Sequence, residues 1–174
     1  IVTTGRFVPQ KDYRTMLRTI SKLKDIRQDF VMDIIGYGVE EANIRSWIEE
    51  YGVRDMVNLY IKPDNVQDIV RDADIYLSTS LFEGTSNSIM EAMNWSLPVV
   101  ATNVGDNKYL VKNCENGYLH NIADADNIAL SINKLLNDIE FRNQYGFNSH
   151  KILSSHFSME SFENRYLQLI NQDR

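Results

Sequence analysis

Six short apolar runs, spaced by longer segments with helical periodicity, constrain what this chain can fold into more than any other feature of it. The runs are "IVTT" (1–4), "FVMDIIG" (30–36), "VNLYI" (57–61), "ADIYLSTS" (73–80), "LPVVAT" (97–102) and "GYLH" (117–120). They are rich in β-branched residues and carry too little polar alternation for a sheet with one wet face. Pro98, at the start of the fifth run, suits the first positions of a strand. Helices are predicted over 11–28, 39–51, 65–72, 87–94 and 106–112, and the chain reads as helical from 124 onward. Within 11–28, Met16, Leu17, Ile20 and Leu23 share a face; within the last part, Ile128, Ile132, Leu135 and Leu136 do. A final stripe of Phe162, Tyr166, Leu169 and Ile170 follows an N-cap at Ser158.

Strand–helix alternation with strands apolar throughout predicts a parallel sheet covered on both faces, a doubly wound, Rossmann-like α/β fold of about six strands. No repeat or linker interrupts it, so residues 1–174 read as one domain. A chain of this length can bury roughly 70% of its unfolded surface. It opens at "IVTTGRF" on a β-type run without an initiator Met, which predicts that it begins mid-protein. With a net charge of −6 and no long basic block, it does not read as a nucleic-acid binder. The single cysteine, Cys114, leaves no disulfide framework and favours a reducing, cytoplasmic compartment.

In an open parallel sheet, ligands bind outside the carboxyl ends of the strands. The segments that follow the runs therefore matter most. "GRFVPQK" follows the first, with Arg6 and Lys11 either side of Pro9. "KPDN" follows the third and "LFEGTSNS" the fourth. Two cations beside free backbone N–H groups suit a phosphate or diphosphate, although surface charges of this type are mostly just solvated. Glu83-Gly84 reads as a turn, Thr85, Ser86 and Asn87 as cap-type residues, and Glu91 as one turn into the next helix. Such a pair of carboxylates could hold a sugar and a ribose with a diphosphate between them. Spacing alone does not raise that above ordinary loop and helix charges.

The order of motifs adds to this. "TGRFVPQKD", "IIGYG", "ADIYLSTSLFEGTSNSIMEAMNWSLPVVATNVGDN", "ENGYL" and "HFSMESFENRYLQLI" together resemble the C-terminal, nucleotide-sugar-binding domain of the family 4, or group 1, retaining glycosyltransferases of GT-B fold. The resemblance runs over nearly the whole chain. It implies the donor half of an enzyme that moves a sugar from a nucleoside-diphosphate sugar to an acceptor hydroxyl, in bacterial surface polysaccharide or glycolipid synthesis. It implies no cofactor and no metal, and an N-terminal acceptor-binding domain elsewhere in the same protein. The isolated domain would then be inactive. The full-length protein would be cytoplasmic, with a peripheral position at the inner face of the plasma membrane left open.

Carried over by residue, the resemblance assigns Arg6 and Lys11 to the diphosphate, with Gly5 beside them. Glu83 falls to the donor sugar and Glu91 to the ribose hydroxyls. Backbone of Asn87, Ser88 and Ile89 approaches the phosphates and ribose, Gly84, Thr85 and Ser86 count among the substrate-binding residues, and Ile61 and Lys62 approach the base. Glu83, Arg6 and Lys11 are the catalytic set it implies. The chain departs from the family pattern at Asp12, Ser86, Asn94-Trp95-Ser96 and Asp106, none of which removes a motif charge. Two other classes stay open: a nucleotide-sugar epimerase of the same fold, and a non-catalytic nucleotide-sugar-binding module.

Other signals carry less. "DAD" (72–74) imitates a metal-binding D-x-D, but falls between a helix end and a strand start. "GYG" (36–38) is half of a dinucleotide fingerprint. His120, His150 and His156 have no metal-ligand spacing. "NWS" (94–96) is a formal glycosylation sequon at a helix-to-strand turn.

Overall fold

The computed structural model describes residues 1–157, and the stripe expected over 162–170 lies outside them. Its centre is a six-stranded sheet in the order β3-β2-β1-β4-β5-β6, parallel throughout. The strands are β1 (Val2–Arg6), β2 (Met32–Tyr37), β3 (Val57–Ile61), β4 (Tyr76–Ser78), β5 (Val99–Thr102) and β6 (Gly117–His120). The helices are α1 (Tyr13–Lys24), α2 (Glu41–Glu50), α3 (Val66–Arg71), α4 (Asn87–Asn94), α5 (Asn107–Leu110), α6 (Ala125–Asn137) and α7 (Ile139–His156).

The apolar runs work because a strand sends successive side chains to opposite faces. In β2, Ile34 enters one buried cluster and Ile35 the other. In β5, Val100 joins the first, while Val99 and Ala101 join the second. The first layer receives Met16, Leu17, Ile20 and Leu23 of α1 with Ile128, Ile132 and Leu135 of α6. The second receives Ile89, Ala92 and Met93 of α4 with Ile152 of α7. Each large apolar side chain so covered contributes about 1.5–3 kcal/mol.

Several boundaries differ from expectation, among them the end of the first helix at Lys24, not 28, and two of the differences have identifiable reasons. The first helix begins at Tyr13, not 11, because a 3₁₀ turn, Pro9–Lys11, precedes it. The helical tail breaks at Asp138, which is extended (φ −133°, ψ 104°) and accepts a bond from the Phe141 N–H at 2.9 Å. Arg142 reaches back to the Leu135 carbonyl at the end of α6 (3.2 Å).

The chain order reverses between β1 and β4. These two strands pair at a single position, Val2 with Tyr76, so their carboxyl ends diverge. The Tyr76 hydroxyl stands in the gap, donating to the Thr4 carbonyl (3.1 Å) and accepting from the Thr4 N–H (3.3 Å).

Candidate functional site

The segment after β1 is anchored by Phe7, which is fully buried and meets Tyr13 edge to face at 5.1 Å. Asp12 then takes a left-handed conformation (φ 46°, ψ 56°) and caps α1, accepting from the Thr15 N–H at 3.1 Å. That accounts for the departure at Asp12: the position needs a residue that tolerates positive φ, and Asp adds a cap that Gly cannot. Burial, with the nearby Tyr76, pushes the Tyr13 phenol far above its ordinary range. It therefore remains a neutral donor, and it donates to the Arg6 carbonyl at 3.4 Å.

Across the gap, the β4–α4 loop is stitched to this segment. The Thr79 hydroxyl donates to the Lys11 and Asp12 carbonyls, both at 3.0 Å, and the Leu81 N–H to the Gln10 carbonyl at 2.8 Å. Within that frame the Lys11 ammonium meets Glu83 Oε1 at 2.5 Å. The Ser80 hydroxyl donates to the same oxygen at 2.7 Å, and Gln10 reaches Oε2 at 3.4 Å and the Phe82 carbonyl at 2.8 Å. The Glu83 side chain is only 9% exposed and that of Lys11 20%. A charge-assisted pair this sheltered, with two neutral donors besides, has a fixed geometry.

The loop continues against the β5–α5 turn. Gly105 has φ 50°, and a Cβ there would lie 2.0 Å from the Glu83 carbonyl oxygen. The Asp106 carboxylate accepts from the Thr85 hydroxyl at 2.8 Å. Asp106 itself has φ −88°, which any residue adopts, so the second glycine of the family pattern is not needed here. Ser86 is buried and its hydroxyl caps α4 toward the Ile89 N–H (3.5 Å).

Beside the gap lies a cleft of about 360 Å³, within the size range of small-ligand sites. β1 contributes Gly5 and Arg6, β2 Gly36 and Tyr37, the β3–α3 loop Lys62 and Pro63, and α4 Asn87, Ser88 and Glu91. Arg6 and Glu91 are exposed, and among the described residues neither side chain has a hydrogen-bond or ion-pair partner. A small inner cavity adjoins the cleft; Thr4 and Ser88 line both, and Lys11 and Ser80 line the inner one.

The residues expected from sequence thus fall into three places. Gly5, Arg6, Lys62, Asn87, Ser88 and Glu91 share the cleft. Lys11 and Glu83 sit paired at its inner end. Gly84, Thr85, Ser86, Ile61 and Ile89 do not line the cleft. The Ile89 side chain is core, and Thr85 faces Asp106 instead. Sequence reasoning missed Gln10, Ser80 and Tyr37. Tyr37 lay inside "GYG", a stretch weighed only as a glycine motif. Gln10 and Ser80 matter through contacts 72–73 and 3 residues away, which spacing does not reveal. Asp72 and Asp74 lie on the opposite rim, ion-paired to Arg71 (2.9 Å) and Arg142 (3.1 Å).

The profile of the family "Glycosyl transferases group 1" matches residues 1–152. The chain belongs to the group 1 glycosyltransferases. Among curated members it is similar to the lipopolysaccharide core biosynthesis glycosyltransferase LpsE of Rhizobium meliloti, at 26% identity over 98% of this chain and 49% of the relative. It is also similar to the N-acetyl-alpha-D-glucosaminyl L-malate synthase of Bacillus anthracis, at 24% identity over 86% of this chain and 42% of that one. Among solved structures, S. aureus TarM (G117R), in complex with fondaparinux, alpha-GlcNAc-glycerol and UDP, superposes with a TM-score of 0.89 at 25% identity. That match covers 98% of this chain and 35% of TarM. Anabaena Alr3699/HepE, solved with UDP, shares the fold with a TM-score of 0.88 at 20% identity, over 98% of this chain and 48% of that one. The chain spans about half the length of these curated relatives. The six-stranded parallel sheet is that of the C-terminal half of GT-B structures. Among the described residues no helix is long and apolar enough to cross a membrane.

Proposed function

We propose that this group 1 glycosyltransferase domain binds the donor of a retaining, metal-independent sugar transfer from a nucleoside-diphosphate sugar to an acceptor hydroxyl. The observation that carries the reading is one cleft, at the divergence of β1 and β4, where an unpaired Arg6 and an unpaired Glu91 face the same space beside the Lys11–Glu83 pair. In the reaction, the bond between the anomeric carbon and the β-phosphate oxygen breaks and negative charge grows on that oxygen, while the acceptor hydroxyl oxygen bonds to the anomeric carbon and its proton is given up to the released nucleoside diphosphate or to solvent. Arg6 and Lys11 stabilise it. The Lys11 ammonium has three donors, so it can keep Glu83 and still reach a phosphate. Glu91 holds the ribose hydroxyls, with backbone of the 84–89 segment nearby and Ile61 and Lys62 toward the base. Glu83 holds hydroxyls of the transferred sugar. The acceptor enters from a second, N-terminal domain of the full-length protein, which works in surface polysaccharide or glycolipid synthesis at the cytoplasmic side of the membrane. Residues 1–174 alone bind donor and do not turn it over.

Calorimetry of the chain with nucleoside diphosphates tests the site. Arg6→Ala and Lys11→Ala should each weaken binding about tenfold or more, since a hydrogen bond to a charged group is worth roughly 1.5–3 kcal/mol. Unchanged affinity in both variants would place the phosphates elsewhere. A donor panel with the full-length protein separates transfer from epimerisation and from binding alone.

A further inference from the structure

We propose that the side chains of Tyr37 and Lys62 select the nucleobase. The Lys62 ammonium would favour a base with a carbonyl oxygen at pyrimidine C4 or purine C6 (uracil, guanine) over one with an amino group there (cytosine, adenine). This rests on the nucleoside-diphosphate reading above and goes past it, since that reading gives the base only a stretch of backbone.

Three observations meet at this pair. The first is position. Tyr37 ends β2 and Lys62 follows β3, so both stand at the carboxyl ends of neighbouring strands on the β3 side of the sheet, and both line the cleft that also holds Arg6 and Glu91. With the diphosphate at Arg6 and the ribose at Glu91, a base continues toward β2 and β3, where these side chains are. The second is orientation. The Lys62 ammonium lies 4.4 Å from the centre of the Tyr37 ring, and Tyr37 is half exposed. A cation–π contact fixes an otherwise flexible ammonium at the cleft wall. Among the described residues no carboxylate pairs with it. The third is strain. Lys62 has φ 46°, a left-handed conformation that glycine adopts far more readily than a residue with a Cβ. Lys62 is one of five non-glycine residues with positive φ among those described, and of the five it alone lines the cleft.

The chemistry then follows from the donor inventory. An ammonium offers three N–H donors and no acceptor. Against a carbonyl oxygen it makes a charge-assisted hydrogen bond. Against an amino group two donors confront each other, and the ammonium gains no bond to the base at that position.

Calorimetry of the chain with UDP, GDP, CDP and ADP decides it. The unmodified chain should bind UDP and GDP about tenfold more tightly than CDP and ADP. Lys62→Met, which keeps the length and removes the charge, should bring all four within about threefold by weakening the first two. Tyr37→Leu should reduce the discrimination, while Tyr37→Phe keeps the ring and keeps it. Lys62→Gly should raise the thermal midpoint, by relieving the left-handed strain, and yet lose the discrimination; a merely structural lysine would not give both. Equal binding of all four by the unmodified chain, or full discrimination by Lys62→Met, overturns the proposal. Binding of no nucleoside diphosphate at all would instead overturn the reading on which it rests.

Discussion

Glu83 and Glu91, eight positions apart, read from sequence as a turn residue and a helix residue, and their surroundings in the structure are opposites. Glu83 is sheltered and bonded to Lys11 and Ser80, while Glu91 is exposed on α4 with its carboxylate facing open cleft. That difference gives substitutions of opposite sign. Glu91→Gln should weaken a plain nucleoside diphosphate, because a charge-assisted hydrogen bond to ribose is lost, at about 1.5–3 kcal/mol. Glu83→Gln should tighten the same ligand. It removes a negative charge near the phosphates and frees Lys11, and two unit charges about 4 Å apart at a protein surface interact by about 1–4 kcal/mol. About fivefold is expected. For the sugar nucleotide, Glu83→Gln should lose part of that gain, because the sugar hydroxyls exchange a charged acceptor for a weaker neutral one. Calorimetry with both ligands on both variants checks this. A plain diphosphate weakened as much by Glu83→Gln as by Glu91→Gln would end the division of labour between them.

At the scale of elements, most of the architecture was legible because it follows from two periodicities. Apolar runs marked all six strands, and the stripe at Met16, Leu17, Ile20 and Leu23 marked α1 as a core helix. What was not legible depended on single backbone conformations or distant partners. Nothing local announces that Asp12 is left-handed or that Asp138 is extended, so one helix start was set two residues early and two helices merged. The site divided in the same way. Arg6, Glu83 and Glu91 stand out as motif residues, whereas Gln10 and Ser80, which hold Glu83, are defined by a tertiary contact and a tight turn. The β5–α5 turn belongs with these hidden elements. Gly105 presses on the Glu83 backbone from the β5–α5 turn, so the position of the loop depends on a residue 22 places away, just as the Thr102 hydroxyl, 22 from Ser80, holds the Ser80 carbonyl at 2.6 Å. Gly105→Ala combines a strained φ of 50° with a Cβ 2.0 Å from the Glu83 oxygen. It should lower the thermal midpoint by several degrees, consistent with a cost of about 1–2 kcal/mol. It should also slow transfer in the full-length enzyme more than it weakens plain diphosphate binding, because Glu83 is displaced while Arg6 and Glu91 are not. Melting and calorimetry read the two effects separately, and a variant with an unchanged midpoint would mean that the turn is free to move.

At the scale of the whole molecule, the question is how a chain with a net charge of −6 receives an anionic donor. The long-range field is unfavourable, and at physiological salt it is screened within about 8 Å. Attraction must therefore come from charges at the site itself. Arg6 stands in the cleft, unpaired among the described residues, and Lys11 at its inner end, both where β1 and β4 diverge, and Lys62 adds a third positive charge to the cleft lining. In the proposed reading each of the three donates to a ligand oxygen or a base edge, Lys11 while keeping its pair with Glu83. A divalent ion bridging the phosphates would do the same electrostatic work, and would have to share the phosphate oxygens with Arg6 and Lys11. The proposal that two protein cations stand in place of a metal predicts that donor binding by the chain is the same in EDTA as in magnesium. It predicts also that transfer by the full-length protein survives EDTA. In Arg6→Ala, both should fall and magnesium should not restore them. Complete loss of transfer in EDTA, recovered with Mg²⁺ or Mn²⁺, would show that the leaving diphosphate depends on a metal after all, and that Arg6 and Lys11 position it rather than neutralise it.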